Sequence, residues 1–137
     1  MATTPNSIIT PQAVKTAYAV VDTASTDIDD APTTTVLLMT AGANGARLTR
    51  LTALPRATVT PTRLDLWLSK DGGTTKRLLD TALMSAFTVA NTTEIPTTDF
   101  GYSEDNPLIL EASDRLYVST AVSLAGGIVI TAHYQDY

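Results

Sequence analysis

Histidine occurs once, at His133, and cysteine not at all. Nucleophilic catalysis needs a nucleophile, a base that titrates near neutral pH and a group that orients it. Without cysteine there is no thiolate nucleophile and no Cys-ligated zinc. Asp136 is close to His133 in the chain. An odd offset on a strand puts two side chains on opposite faces, and no Gly-x-Ser-x-Gly elbow supplies a serine. His133 therefore reads as an ordinary residue on the polar face of a strand. The glycine-bearing run Ala41-Gly42-Ala43-Asn44-Gly45 lacks the Lys-Ser/Thr and the following helix of a phosphate cradle, and reads as a hairpin turn. Two acidic stretches, Asp27-Ile28-Asp29-Asp30 and Asp99 with Glu104 and Asp105, miss the spacing of a calcium loop and read as solvated loops. Asn91-Thr92-Thr93 forms a glycosylation triplet, but such triplets arise by chance in a Thr-rich chain, and no secretory signal accompanies it. No catalytic, cofactor-binding or metal-binding residue is expected, and no enzyme.

The side chains left to explain are apolar ones. In 62–70 (TRLDLWLSK) Leu64, Leu66 and Leu68 alternate with Arg63, Asp65, Trp67 and Ser69, the period of a half-buried strand. Trp67 falls on the face away from the leucines. There it is either covered by another element or offered to a partner, since Trp concentrates at interface hot spots. Near the start, Ile8, Ile9 and Val14 stand among Pro5, Pro11 and small polar residues. Prolines at that spacing exclude a continuous helix and a central strand. Residues 1–16 are predicted to be an extended arm, and Ile8, Ile9, Val14 and Trp67 are the candidate partner-interface residues.

Short β-prone runs must hold these residues. They fall at 17–23, 33–40, 47–53, 62–70, 74–83, 85–91, 107–111, 116–124 and 128–134. Turn signals separate them, above all Asn44-Gly45, Asp71-Gly72-Gly73 and Gly126-Gly127; residues 92–106 read as a long loop. Segment 74–83 has apolar positions that also suit a short helix; the Asp-Gly-Gly turn favours a returning strand. This spacing predicts one antiparallel β-sandwich or barrel over 17–137 with under about 15% helix. Helices long enough for a parallel α/β sheet are missing.

Composition agrees. The chain has 137 residues, of which 25 are Thr, and only 17% are charged. Threonine is stiff at χ1 and favours pleated, half-buried surfaces. A net charge of −5, from 14 acids against 9 scattered bases, leaves no basic footprint for nucleic acid. No apolar run reaches the roughly 18–20 residues that span a bilayer, and the opening residues lack a signal peptide's basic end and apolar block. Synthesis in a cytoplasm is expected.

Several stretches resemble small virion proteins of tailed bacteriophages. They are Ala2-Thr3-Thr4-Pro5-Asn6-Ser7-Ile8-Ile9-Thr10-Pro11-Gln12, Ala41-Gly42-Ala43-Asn44-Gly45 ahead of Leu48-Thr49, Pro107-Leu108-Ile109-Leu110 leading to Ser113-Asp114-Arg115-Leu116, and the end Gln135-Asp136-Tyr137. The resemblance spans most of the chain. It implies a head decoration (cement) protein with a β-sandwich or jelly-roll fold. It further implies a homo-oligomer, commonly a trimer, bound to the major capsid protein on the virion surface and made in the bacterial host. A tail, collar or fibre-base component is the alternative. A carbohydrate-binding sandwich would use Trp67 with Arg63 and Asp65.

Overall fold

The computed structural model describes residues 10–137. Ile8 and Ile9 lie outside the described residues, as does most of the expected arm. The strands are β1 (Ala13–Val21), β2 (Val36–Thr40), β3 (Ala46–Pro55), β4 (Thr62–Ser69), β5 (Arg77–Met84), β6 (Thr98–Asp99), β7 (Leu108–Leu110), β8 (Arg115–Thr120) and β9 (Ile128–Asp136). Helix is absent among the described residues, and so is any helix able to cross a membrane.

The strands form two antiparallel sheets packed together. One holds β1-β9-β3-β6 in that order, with β7 also on β3; the other holds β2-β8-β4-β5. The pairing has a simple logic. β4 returns as β5, β3 is met by β6 and β7, β2 by β8, and β1 by β9. The chain is thus one long hairpin whose tip is Asp71-Gly72-Gly73. The hairpin is rolled so that β9 also pairs with β3 and β8 with β4. This is a jelly-roll-like β-sandwich, in which successive pairs of the hairpin alternate between sheets.

Alternation decides which side chains fill the space between the sheets. Leu48 and Leu51 of β3 and Ile128 and Ile130 of β9 meet Leu64 and Leu66 of β4 and Leu116 and Val118 of β8, all fully buried. A Thr62–Thr120 hydroxyl pair (2.8 Å) closes one end of this core, and Thr62 Oγ1 also accepts the Val122 N–H at 3.1 Å.

Four expectations need correction. Residues 13–16 are not arm: they open β1 and pair with Tyr134, His133 and their neighbours on β9. The 41–45 run is not a hairpin turn, because β2 and β3 lie in different sheets. Gly45, at φ +88°, turns a corner between layers instead. The strand expected over 85–91 is reduced to one reciprocal pair, Val59 with Phe87. The next ladder bond is replaced by Val89 N–H donating to Thr58 Oγ1 at 3.2 Å, and Pro61, with no N–H, cannot extend it. The 92–106 loop holds a two-residue strand, β6, against Thr52 and Ala53.

Candidate interaction surface

The two sheets treat their outer faces differently. On the four-stranded sheet, Asp65, Trp67 and Ser69 of β4 and Ser119 of β8 face away from the core yet are buried. The connection after β1 is anchored at both ends of this face. Its start is pinned where Ser25 N–H donates to Thr120 O (2.8 Å) and Ala24 N–H to Ser123 Oγ (2.8 Å). Further on, Asp30 O accepts the Lys76 N–H (3.1 Å) and the Asp30 carboxylate pairs with Arg77 Nε (3.1 Å). Thr120 lies opposite Leu64 and Arg77 opposite Leu68. Residues 25–30 therefore run along β4 from the level of Leu64 to that of Leu68, about 13 Å at 3.3 Å per residue, as a strap.

Beneath the strap the polar groups satisfy one another. Trp67 Nε1–H donates to Ser119 Oγ (2.9 Å), whose hydroxyl donates to Asp65 Oδ2 (3.3 Å). Arg63 closes the chain with Nε at 2.6 Å and Nη2 at 3.2 Å from the Asp65 carboxylate. That contact holds the guanidinium pKa above its ordinary value. Trp67, 0% exposed, is thus no interface residue. Of the two readings open from its position, it takes the covered one, and the Trp67–Arg63–Asp65 sugar platform is sealed with it.

No equivalent segment crosses the five-stranded sheet among the described residues. The ladder registers lay out the rows of its outer face. Val14, Gln135, Arg47 and Ile109 form one row, and Thr16, His133 and Arg50 the next. Tyr18, Thr131 and Thr52 follow, then Val20, Val129 and Leu54. Val14 is 82% and Tyr18 72% exposed, and Leu54 and Ile109 are also exposed. A bulge at Thr49, whose hydroxyl donates to His133 O at 3.1 Å, keeps Arg50 on this face. Arg50 makes no ion pair among the described residues. Apolar and hydroxyl side chains around an unpaired guanidinium suit a protein interface, whose centre is poor in charge and rich in aromatics and Arg.

Of the two expected interface residues that are described, Val14 is on this face and Trp67 is not. Tyr18, Val20, Arg50, Leu54 and Val129 went unnoticed in the sequence. Alternation along 13–21 carried the signal for Tyr18 and Val20, but the prolines before it drew the strand's start too late.

The remaining groups do not converge. His133 is exposed between Thr16 and Arg50. Asp136 points the other way, accepting from Gly42 N–H (3.1 Å) and pairing with Lys15 Nζ (2.7 Å). Asp29 accepts the Ala31 N–H and Asp99 the Gly101 N–H, each ordering its own loop. No group of three or more potential metal ligands assembles among the described residues. A 450 Å³ groove beside the hairpin tip is lined by Leu68, Lys70, Asp71, Thr75 and Arg77. Its cations are engaged: Lys70 by Asp114 (3.0 Å) and Arg77 by Asp30.

No family model matches the chain, and no curated protein matches it. Among solved structures it is similar to the Eiger TNF of S. frugiperda, at 10% identity over 92% of this chain and 96% of that one, with a TM-score of 0.46.

Proposed function

We propose that this chain is a non-enzymatic structural protein of a tailed-bacteriophage virion. In this reading it is a head decoration, or cement, protein that seats the outer face of its five-stranded sheet on the shell beside copies of itself. The observation that carries the reading is the unequal treatment of the two outer faces. A strap seals one over Trp67, while the other is left, among the described residues, with Val14, Tyr18, Val129 and Leu54 in three of its four rows. Apolar rows left uncovered on a small domain mark an interaction site. The low charge, 17% of residues, suits a surface that docks on a large, flat partner. The major capsid protein is that partner, and copies of the chain sit beside one another on the shell.

Co-sedimentation with undecorated phage heads tests it. The wild-type protein pellets with the heads. The double variant Arg50→Glu/Leu54→Asp, changed only on the outer face, stays in the supernatant while melting within a few degrees of wild type. Undiminished sedimentation of the variant removes the sheet face from the reading. Failure of the wild-type protein to bind heads removes the decoration role.

A further inference from the structure

Each sheet has two edges, and three of the four are blunted. β2 is five residues long and bulged at Leu38. β6 and β7 have two and three residues. β5 is bulged at Leu79, and Asp80, opposite core-facing Leu66, turns a carboxylate inward to accept from Tyr102 Oη at 2.9 Å. Short length, bulges and inward charges are the devices that keep a strand edge from pairing.

β1 has almost none of them. All nine of its residues pair with β9 without a register shift, and it lies at the end of its sheet. Its one charge, Lys15, sits near the end and is tied to Asp136. Thr16–Val21 carry no charge at all. Among the described residues no backbone hydrogen bond joins 13–21 to any segment but β9. Among the described residues the outward row of N–H and C=O groups is therefore open, and an open row of this kind templates another strand.

We infer that the occupant of this edge is β1 of a second copy, paired antiparallel across a twofold axis at Ala17. The strand is complementary to itself in that register. Val14 faces Val20 of the second copy, Thr16 faces Tyr18, and Lys15 faces Ala19, so no like charges oppose. Apolar and aromatic–Thr pairs of this kind stabilise a sheet. Parity supports an axis through a residue. Side chains on one face recur every second residue, so this register keeps Val14, Thr16, Tyr18 and Val20 of both copies on one side. A shift by one residue would turn one copy's core face outward. Among the described residues the chain does not turn back onto this edge. Gln12 N–H donates to Asp136 O at 2.7 Å, so the chain enters along the line of β9, and residues 10–12 make no turn back toward the free edge. The pair has one continuous sheet whose two bare faces look the same way. This contact is separate from the shell-binding reading and stands or falls without it.

Because cysteine is absent, one introduced thiol reads the register. Directly opposed residues in an antiparallel pair have Cα atoms about 4.5–5.5 Å apart, within disulfide range. Under mild oxidation of the full chain, Ala17→Cys is expected to cross-link most of the protein to twice the 14.5 kDa chain mass. Leu83→Cys, exposed on the blunted β5 edge, should stay monomeric. Without cysteines, Tyr18→Lys should raise the dimer dissociation constant about tenfold or more in analytical ultracentrifugation. A wild-type monomer at high micromolar concentration overturns the inference. So does a trimer in which Ala17→Cys fails to cross-link. Cross-linking that appears only after residues 1–9 are deleted assigns the edge to the chain's own beginning and overturns it too.

Discussion

Asp65 is a carboxylate with no solvent contact, and its neighbours decide whether that is tolerable. Two Arg63 nitrogens and the Ser119 hydroxyl satisfy it, and Ser119 in turn accepts from the indole. Ser119→Ala should cost about 1–3 kcal/mol, since it leaves the Trp67 N–H buried without an acceptor. Trp67→Ala should cost about 3–5 kcal/mol through lost packing. Arg63→Ala should cost less than the roughly 3–5 kcal/mol of a wholly buried pair, because the Arg63 side chain is 38% exposed and water screens it. Urea unfolding checks all three, by circular dichroism where the tryptophan is removed. Trp67, the one tryptophan, should emit at short wavelength until the strap is released. A second residue reports on alkaline pH. Burial, and then the bond to Asp80, raise the Tyr102 pKa well above its ordinary 10.0. Its contribution to stability is complete below that ordinary value and is lost as pH rises through the raised one. A spectrophotometric titration should show a late-ionising phenol that is missing in Tyr102→Phe. Trp67's orientation was legible from alternation along 62–70. Its cover was not, because the strap over it is a Ser- and Asp-containing segment with no periodicity, and only its distant anchors at Thr120 and Lys76 define its course.

Turns carry the second scale. Asp71-Gly72-Gly73 and Asn44-Gly45 have the same local chemistry, glycine at positive φ, and were read alike. The first closes the β4–β5 hairpin; the second moves the chain from one sheet to the other. Turn residues fix the local bend but not which ladder the next strand joins, and that depends on partners about 90 residues away on β9. Both glycines are needed where they stand. Gly73 has φ +101°, and a Cβ there would run into the Tyr117 hydroxyl; at Gly45, φ +88°, it would lie 2.5 Å from Leu110 O. Gly45→Ala should destabilise by more than about 1 kcal/mol, with the larger effect at this site because backbone cannot swing aside as the Tyr117 side chain can. Thermal melts of Gly45→Ala and Gly73→Ala beside wild type test the order. At the tip, the backbone N–H of Thr75 and the Ser69 hydroxyl lower the Asp71 pKa below its ordinary 3.8. The carboxylate therefore steadies the turn at all higher pH and lets go only as pH falls through the lowered value. A side-chain NMR titration of Asp71 should place its midpoint below that of a free aspartate.

Over the whole molecule, the antiparallel sandwich was legible from spacing and Thr content. The order of strands was not, because the closing pair, β1 with β9, joins opposite ends of the sequence. Folding governed by such non-local pairs is slow, on the order of milliseconds to seconds, and stopped-flow refolding followed by Trp67 should fall there. Deleting residues 1–21 removes an entire edge strand and should abolish cooperative melting. The same pairing brings Gln12 to 2.7 Å from the Asp136 carbonyl, so the two ends of the sandwich are already neighbours. A short glycine–serine linker from residue 137 back to residue 10 would close the chain into a ring. The ring can be reopened at the tip between Gly72 and Gly73, at the cost of the bonds from Gly73 N–H to Ser69 Oγ and from Arg115 to Gly72 O. In that circular permutant β1 and β9 become a local hairpin and β4 and β5 the distant partners, so the last strands to meet in the natural order should become the first.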